Sequence, residues 1–181
     1  MVGSDNVTGP SLSNLIKDSA LDRMSTAAVT LIPDAHSVNH NVRDAVLSNL
    51  KAITGEDMVS FHRMYKGGVN TIFRTKIILS TNNVPDFNDP SGALVARMLV
   101  FPFWKSFAHK PDPKLREKLA GEIEGILQWA IAGLRDLRNN GGVFTEAKVG
   151  TDEKEEIRED MFPLSQFVNE NCTLEPDGFT L

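Results

Sequence analysis

Apolar positions along the chain follow two rhythms. Residues 27–32 form a short run rich in Val29, Thr30, Leu31 and Ile32 that stops at Pro33 and Asp34, the form of a buried parallel strand. From 41 to 53 the apolar residues Val42, Ala45, Val46, Leu50 and Ile53 recur at helical spacing, and Gly55 stands where a helix would stop, which predicts a helix. Segments 58–64 and 69–74 alternate instead, around Tyr65, Lys66, Gly67 and Gly68. Glycines there permit the positive φ of a tight turn, so a β-hairpin is expected. Residues 76–80 and 98–103 read as two further strands, the first running into Thr81, Asn82 and Asn83 ahead of Pro85. Residues 114–119 and 121–137 read as helices, the second with Ile123, Ile126, Leu127, Ala130, Ile131 and Leu134 on one side, and both are expected to cover the sheet. After the break at Asn139, Asn140, Gly141 and Gly142, residues 146–159 are highly charged and 162–168 apolar again, suggesting a linker helix leading elsewhere.

Composition adds bounds. A chain of 181 residues, 41% hydrophobic and 24% charged, is long enough to bury the core of one α/β domain. A net charge of −5 gives no overall basic footprint, so nucleic-acid contact would have to come from a local cluster. Cys172 is the single cysteine, which excludes an intrachain disulfide and a cysteine-based metal cluster and fits a reducing interior. Met1, Val2, Gly3 and Ser4 lack the basic start of a signal peptide, and the apolar run at 99–103 is cut by Pro102, far short of the roughly 18 to 20 residues that cross a bilayer. The expectation is a soluble, cytoplasmic protein.

Candidate chemistry gathers at the ends of the expected strands. An acid after an apolar strand, as at Asp34, is what a nucleotide-driven motor uses to hold magnesium beside a triphosphate; the plain alternative is a turn-forming Asp after Pro33. Asn82, after the strand at 76–80, would put an amide at the sheet edge to orient an attacking water, although Asn is also an ordinary turn former. Arg97, opening the expected strand at 98–103, would neutralise charge developing in phosphoryl transfer on a neighbouring subunit, or else be a surface Arg with a snorkelling stem.

Taken in that order, these segments resemble a family. Residues 27–137 look like the C-terminal two-thirds of the superfamily-three helicase domain of phage and plasmid primase-helicases, relatives of the poxvirus primase-helicase. Four segments carry the likeness: 31–35 ending in Asp34 and Ala35; 50–57 (Leu50, Lys51, Ala52, Ile53, Thr54, Gly55, Glu56, Asp57) with Arg63, Tyr65 and Lys66; 76–82 ending in Asn82; and Ala96, Arg97 and Met98 with Phe101, Pro102 and Phe103. The resemblance implies that Asp34 is the Walker B acid and the metal and cofactor contact, Asn82 the sensor asparagine and Arg97 the arginine finger. It implies an AAA+-like parallel sheet flanked by helices with a β-hairpin insertion, assembled into hexameric rings around single-stranded DNA in a bacterial host cell. The hairpin would then reach DNA in the central channel through Arg63, Lys66 and His62, its glycines letting the backbone approach a phosphate chain.

The sequence departs from the family twice. No GxxxxGK[ST] occurs; Thr8, Gly9, Pro10 and Ser11 hold a single glycine, and the nearby Lys17 falls within an expected helix. Asp34 is followed by Ala35 rather than a second acid, which leaves Glu56 and Asp57 as unplaced candidates for a base. The expectation is a sheet incomplete on its N-terminal side: residues 1–140 as the C-terminal part of the ATPase domain, and 141–181 as a charged linker and the start of a winged-helix region. ATP and Mg2+ are expected to serve an intact parent protein, of which this chain would be a fragment, or else a diverged inactive copy; none is expected bound to it, and it should not turn over ATP alone. The alternatives are a non-catalytic module that binds DNA or joins a related ring, and a structural AAA+-like adaptor.

Overall fold

A computed structural model describes residues 2–35, 38–65, 67–85, 87, 89 and 91–161. They fall into two compact units, residues 2–98 with 154–161, and residues 99–153. The expected apolar segment at 162–168, Cys172 and Lys66 lie outside the described residues.

The first unit is mixed α/β. A 3-10 turn at Ser4–Asn6 leads into strand β1 (Val7–Thr8), and a second one at Leu12–Ile16 into helix α1 (Asp18–Thr26). Strand β2 (Val29–Ile32), helix α2 (His40–Thr54), the hairpin β3 (Met58–Arg63) and β4 (Gly67–Ile72), strand β5 (Lys76–Leu79) and the short helix α3 (Ala93–Ala96) follow. Among the described residues the sheet order is β1-β2-β5, all parallel, with β3 and β4 as a separate antiparallel pair.

Local causes account for most of these elements. Helix α2 starts where the Asn39 side chain accepts from the Asn41 amide, satisfying one of the amides a helix start leaves unpaired. Its buried face is Val46, Leu47, Leu50 and Ile53, each worth about 1.5 to 3 kcal/mol in apolar transfer. It ends at Gly55, whose amide reaches the Lys51 carbonyl at 2.8 Å. Asn49 Nδ2 donates to the Leu15 carbonyl at 2.8 Å and ties α2 to the second 3-10 turn. In the hairpin, alternation sends Val59 and Phe61 into the core, where Phe61 meets Phe73 at 6.0 Å between ring centroids, tilted 53°.

Strands β2 and β5 pair Thr30 with Ile77 and Ile32 with Leu79 on one face, and Leu31 with Ile78 on the other. The first face turns inward, with Thr30 and Ile32 fully buried, and the Thr30 hydroxyl is satisfied by that of Thr75 at 2.9 Å. The second face is not buried as the apolar run suggested, since Leu31 is 40% and Ile78 51% exposed.

Several expectations are corrected. Residues 98–103 form no strand. The chain winds through α3 instead, the amides of Arg97 and Met98 bonding the carbonyls of Leu94 and Val95, both at 3.0 Å, and Pro102 then lacks the amide a ladder needs. Lys17 is not inside a helix; it is the extended residue (φ −91°, ψ 132°) between the second 3-10 turn and α1. At the hairpin tip Gly67 does take the positive φ expected of a glycine (80°), but Tyr65 takes one as well (63°), and both glycines already pair in β4.

The second unit contains helices α4 (Leu115–Gly121) and α5 (Ile123–Asn139) and the beginning of α6 (Lys148–Met161). Within this unit neither α4 nor α5 buries a residue, and Leu127 and Leu134 are exposed. The charged stretch at 146–159 does become helical in α6. Within this unit the backbone at Gly150 meets the Val100 carbonyl: a Cβ at 150 would lie 2.5 Å from that oxygen.

Candidate functional site

Parallel pairing decides which residues share an edge. Asp34 follows Ile32, Asn82 follows Leu79, and those two strand ends are register partners, so acid and amide stand at the carboxyl ends of adjacent parallel strands, the side of an open α/β sheet on which ligands bind. The pairing extends past the strands, with the Ser80 amide bonding the Ile32 carbonyl at 3.0 Å and the Ala35 amide bonding the Ser80 carbonyl at 2.9 Å. Thr81 fastens the two loops, its hydroxyl donating to the Ala35 carbonyl at 2.8 Å and standing beside that of Asn83. Asp34 is exposed and holds a left-handed backbone, φ 48°, a conformation Asp tolerates better than most non-glycine residues.

Arg97 does not open a strand. It caps the end of α3, its Nη1 donating to the Ala93 carbonyl at 3.4 Å. Its Nη2 and the Asp57 Oδ2 lie 3.6 and 3.2 Å from the point a Cβ on Gly55 would occupy, so guanidinium and carboxylate flank the end of α2. Glu56 holds φ 59° beside them.

The hairpin residues divide by face. His62 is exposed, across from Gly68. Arg63, one position on, turns inward, where its Nε meets Asp22 Oδ1 of α1 at 2.5 Å and its Nη2 reaches Ser25 at 3.4 Å. Arg63 therefore carries a carboxylate partner already. The tip offers Met64 and Tyr65, 74% and 98% exposed.

One cluster escaped the sequence reading. Asp89 has a fully buried side chain that meets Lys51 Nζ at 2.6 Å, the Ser91 hydroxyl and amide at 2.6 and 3.1 Å, and the Leu94 amide at 2.8 Å. Burial alone would raise its pKa; the bonds from Lys51, Ser91 and the Leu94 and Ser91 amides outweigh that and lower it to about 2. The run Asp89, Pro90, Ser91, Gly92 before an apolar stretch is a legible cap signal, but nothing local announces Lys51 as its partner.

A magnesium–triphosphate site asks for one or two carboxylates on the metal, with phosphate oxygens and waters completing it, and Asp34, exposed past the end of β2, is one carboxylate at that edge. The triphosphate itself needs a backbone cradle and a lysine, and no described segment has that pattern. Among the described residues no group of three or more His, Cys, Asp or Glu is placed to hold a metal. A hollow of about 320 Å³ lined by Asp5, Thr8, Gly9, Arg23 and Thr26 includes none of Asp34, Asn82 or Arg97. No helix among the described residues is long and apolar enough to cross a membrane. No protein-family model matches the chain.

Proposed function

We propose that this chain supplies the acid, amide and arginine of a ring-forming, ATP-driven DNA motor of the primase-helicase kind, and that ATP hydrolysis by the intact protein drives DNA unwinding in phage or plasmid replication inside a bacterial cell. In this reading the sheet is the AAA+-like core of the motor. Strand β5 pairs only with β2 among the described residues, and a further parallel strand on its open side would bring a phosphate-binding loop beside Asn82. Asp34 would hold Mg2+, Asn82 would orient the attacking water, and Arg97 would act on the nucleotide of a neighbouring subunit in a homo-hexamer. Bound magnesium supplies charge neutralisation at the transferring phosphoryl group.

The observation that carries the reading is the parallel pairing of β2 with β5, which brings two polar residues 48 positions apart in the chain to one rim. Single-stranded DNA is assigned to the hairpin through His62, Lys66 and Arg63, the last only in competition with Asp22. The test is DNA-stimulated ATP hydrolysis by the full-length protein. Asp34→Ala and Asn82→Ala should each lower kcat by about 10² to 10³, the loss typical of a removed charge-stabilising group, and wild-type rates in both would sink the proposal. This chain alone should show no turnover.

A further inference from the structure

We propose that Lys51, Asp89 and Ser91 form a clasp that sets the position of Arg97, which makes Lys51 and Asp89 positioning residues; the inference rests on the role given to Arg97 above. Helix α3 is four residues long, too short to persist on its own, since forming the first helical turn is unfavourable. Its N-cap is Gly92, at φ 62° and with no side chain to offer. The cap comes from outside the helix: Asp89 Oδ2 accepts from the Leu94 amide at 2.8 Å and the Ser91 hydroxyl from the Ala93 amide at 3.4 Å.

The other oxygen of the same carboxylate is held from α2. Asp89 Oδ1 accepts from Lys51 Nζ at 2.6 Å, and that ammonium also meets the Ser91 hydroxyl at 2.8 Å. Lys51 lies in the last turn of α2, and Arg97, at the far end of α3, flanks Gly55 just past that turn. Both ends of α3 are thus referred to one end of α2, the first through an ion pair and the second through the guanidinium itself. A charged pair in a buried site with its lone pairs satisfied adds little net stability over apolar packing, while its geometric demands are strict. Such a pair suits an element whose task is to hold an angle. The Lys51 side chain, 29% exposed and committed to Asp89, is in this account an internal strut and not a surface cation.

The test uses the full-length protein and reads Lys51→Met, Asp89→Asn, Ser91→Ala and Lys51→Arg in two ways. The first is hydrogen exchange at the Leu94, Ala96 and Arg97 amides, with the Ser80 amide in the sheet as reference. The second is kcat and KM for ATP hydrolysis. In Lys51→Met and Asp89→Asn the three amides should exchange at least about tenfold faster with Ser80 unchanged, and kcat should fall at least about tenfold with KM within about twofold, as expected of a misplaced group. Lys51→Arg should restore most of both. Ser91→Ala, which leaves the buried carboxylate its cation, should lose less in the same direction and keeps the proposal open to refutation should the stronger variants not fold. Faster exchange with wild-type kcat would make the cluster a stabilising feature only and overturn the proposal, as would unchanged exchange. Arg97→Ala separates the two readings: a wild-type kcat there refutes the finger and the clasp together, whereas a slow Arg97→Ala beside a wild-type Asp89→Asn refutes the clasp alone.

Discussion

Replacing Gly150 by Ala and replacing Gly133 by Ala are the same chemical change in two helices, and the structure gives them opposite signs. In an open helical position Ala gains about 0.5 to 1 kcal/mol over Gly by restricting the unfolded chain. Gly133, within α5, has nothing within 4 Å of a built Cβ, so Gly133→Ala should realise that gain and slow amide exchange across α5 by about three- to fivefold. Gly150, in the first turn of α6, would place its Cβ 2.5 Å from the Val100 carbonyl oxygen, against an ordinary contact of 3.4 Å or more. The obstacle is backbone, so the two segments must part by close to 0.9 Å, and overpacking of that order costs about 1 to 3 kcal/mol. Set against the helical gain, Gly150→Ala should destabilise by about 1 to 2 kcal/mol and speed exchange in residues 148–153 about tenfold. Exchange read by mass spectrometry on peptides from both segments decides it. If Gly150→Ala slows exchange as Gly133→Ala does, the approach of Val100 to α6 is wrong.

Asp89 gives a pH dependence with a definite direction: its folded pKa of about 2 lies below the ordinary carboxylate value, so its contribution is complete above about pH 5 and is lost as pH falls through 4 toward 2. The wild-type chain should lose about 2 kcal/mol more than Asp89→Asn between pH 6 and pH 2; urea midpoints that fall in parallel in the two would refute this. At the hairpin, Asp22→Asn should release Arg63 from its ion pair, tightening single-stranded DNA binding and steepening its salt dependence by about one unit of slope. Arg63→Ala should show the reverse or no change, and weaker binding in Asp22→Asn by fluorescence anisotropy would count against any phosphate contact by Arg63.

Where local pattern and tertiary demand agreed, the elements were legible. Helix α2 was readable because Val42, Val46, Leu50 and Ile53 repeat on one face between Asn39 and Gly55, and the hairpin because Val59 and Phe61 alternate with exposed residues. Strands β2 and β5 were readable as apolar runs, but nothing local fixes which strands pair, and their adjacency is seen only in the register of the sheet. The apolar run at 98–103 misled because hydrophobicity was its only strand signal: the chain there is still unwinding from α3, Pro102 removes a donor, and Phe101 and Phe103 end up 73% and 92% exposed. Strand β1 is two residues long, too short for any period to register. Helix α5 showed an apolar side in Ile123, Ile126, Leu127, Ala130, Ile131 and Leu134, yet period alone says which face is apolar and not what meets it. The clasp was hidden for a different reason, since Lys51 and Asp89 lie 38 residues apart and a lysine on a helix reads as solvated until its partner is seen.

The pairing of β2 with β5 also has a consequence in time. Its register joins Val29 to Lys76, whereas the hairpin closes across the few residues between Arg63 and Gly67 and α2 is wholly local. Loop-closure entropy delays distant pairings relative to near ones, so a chain emerging from the ribosome can wind α2 and zip the hairpin while Asp34 still has no companion. The rim comes into being only when residues 76–82 arrive and slot in beside a strand made long before.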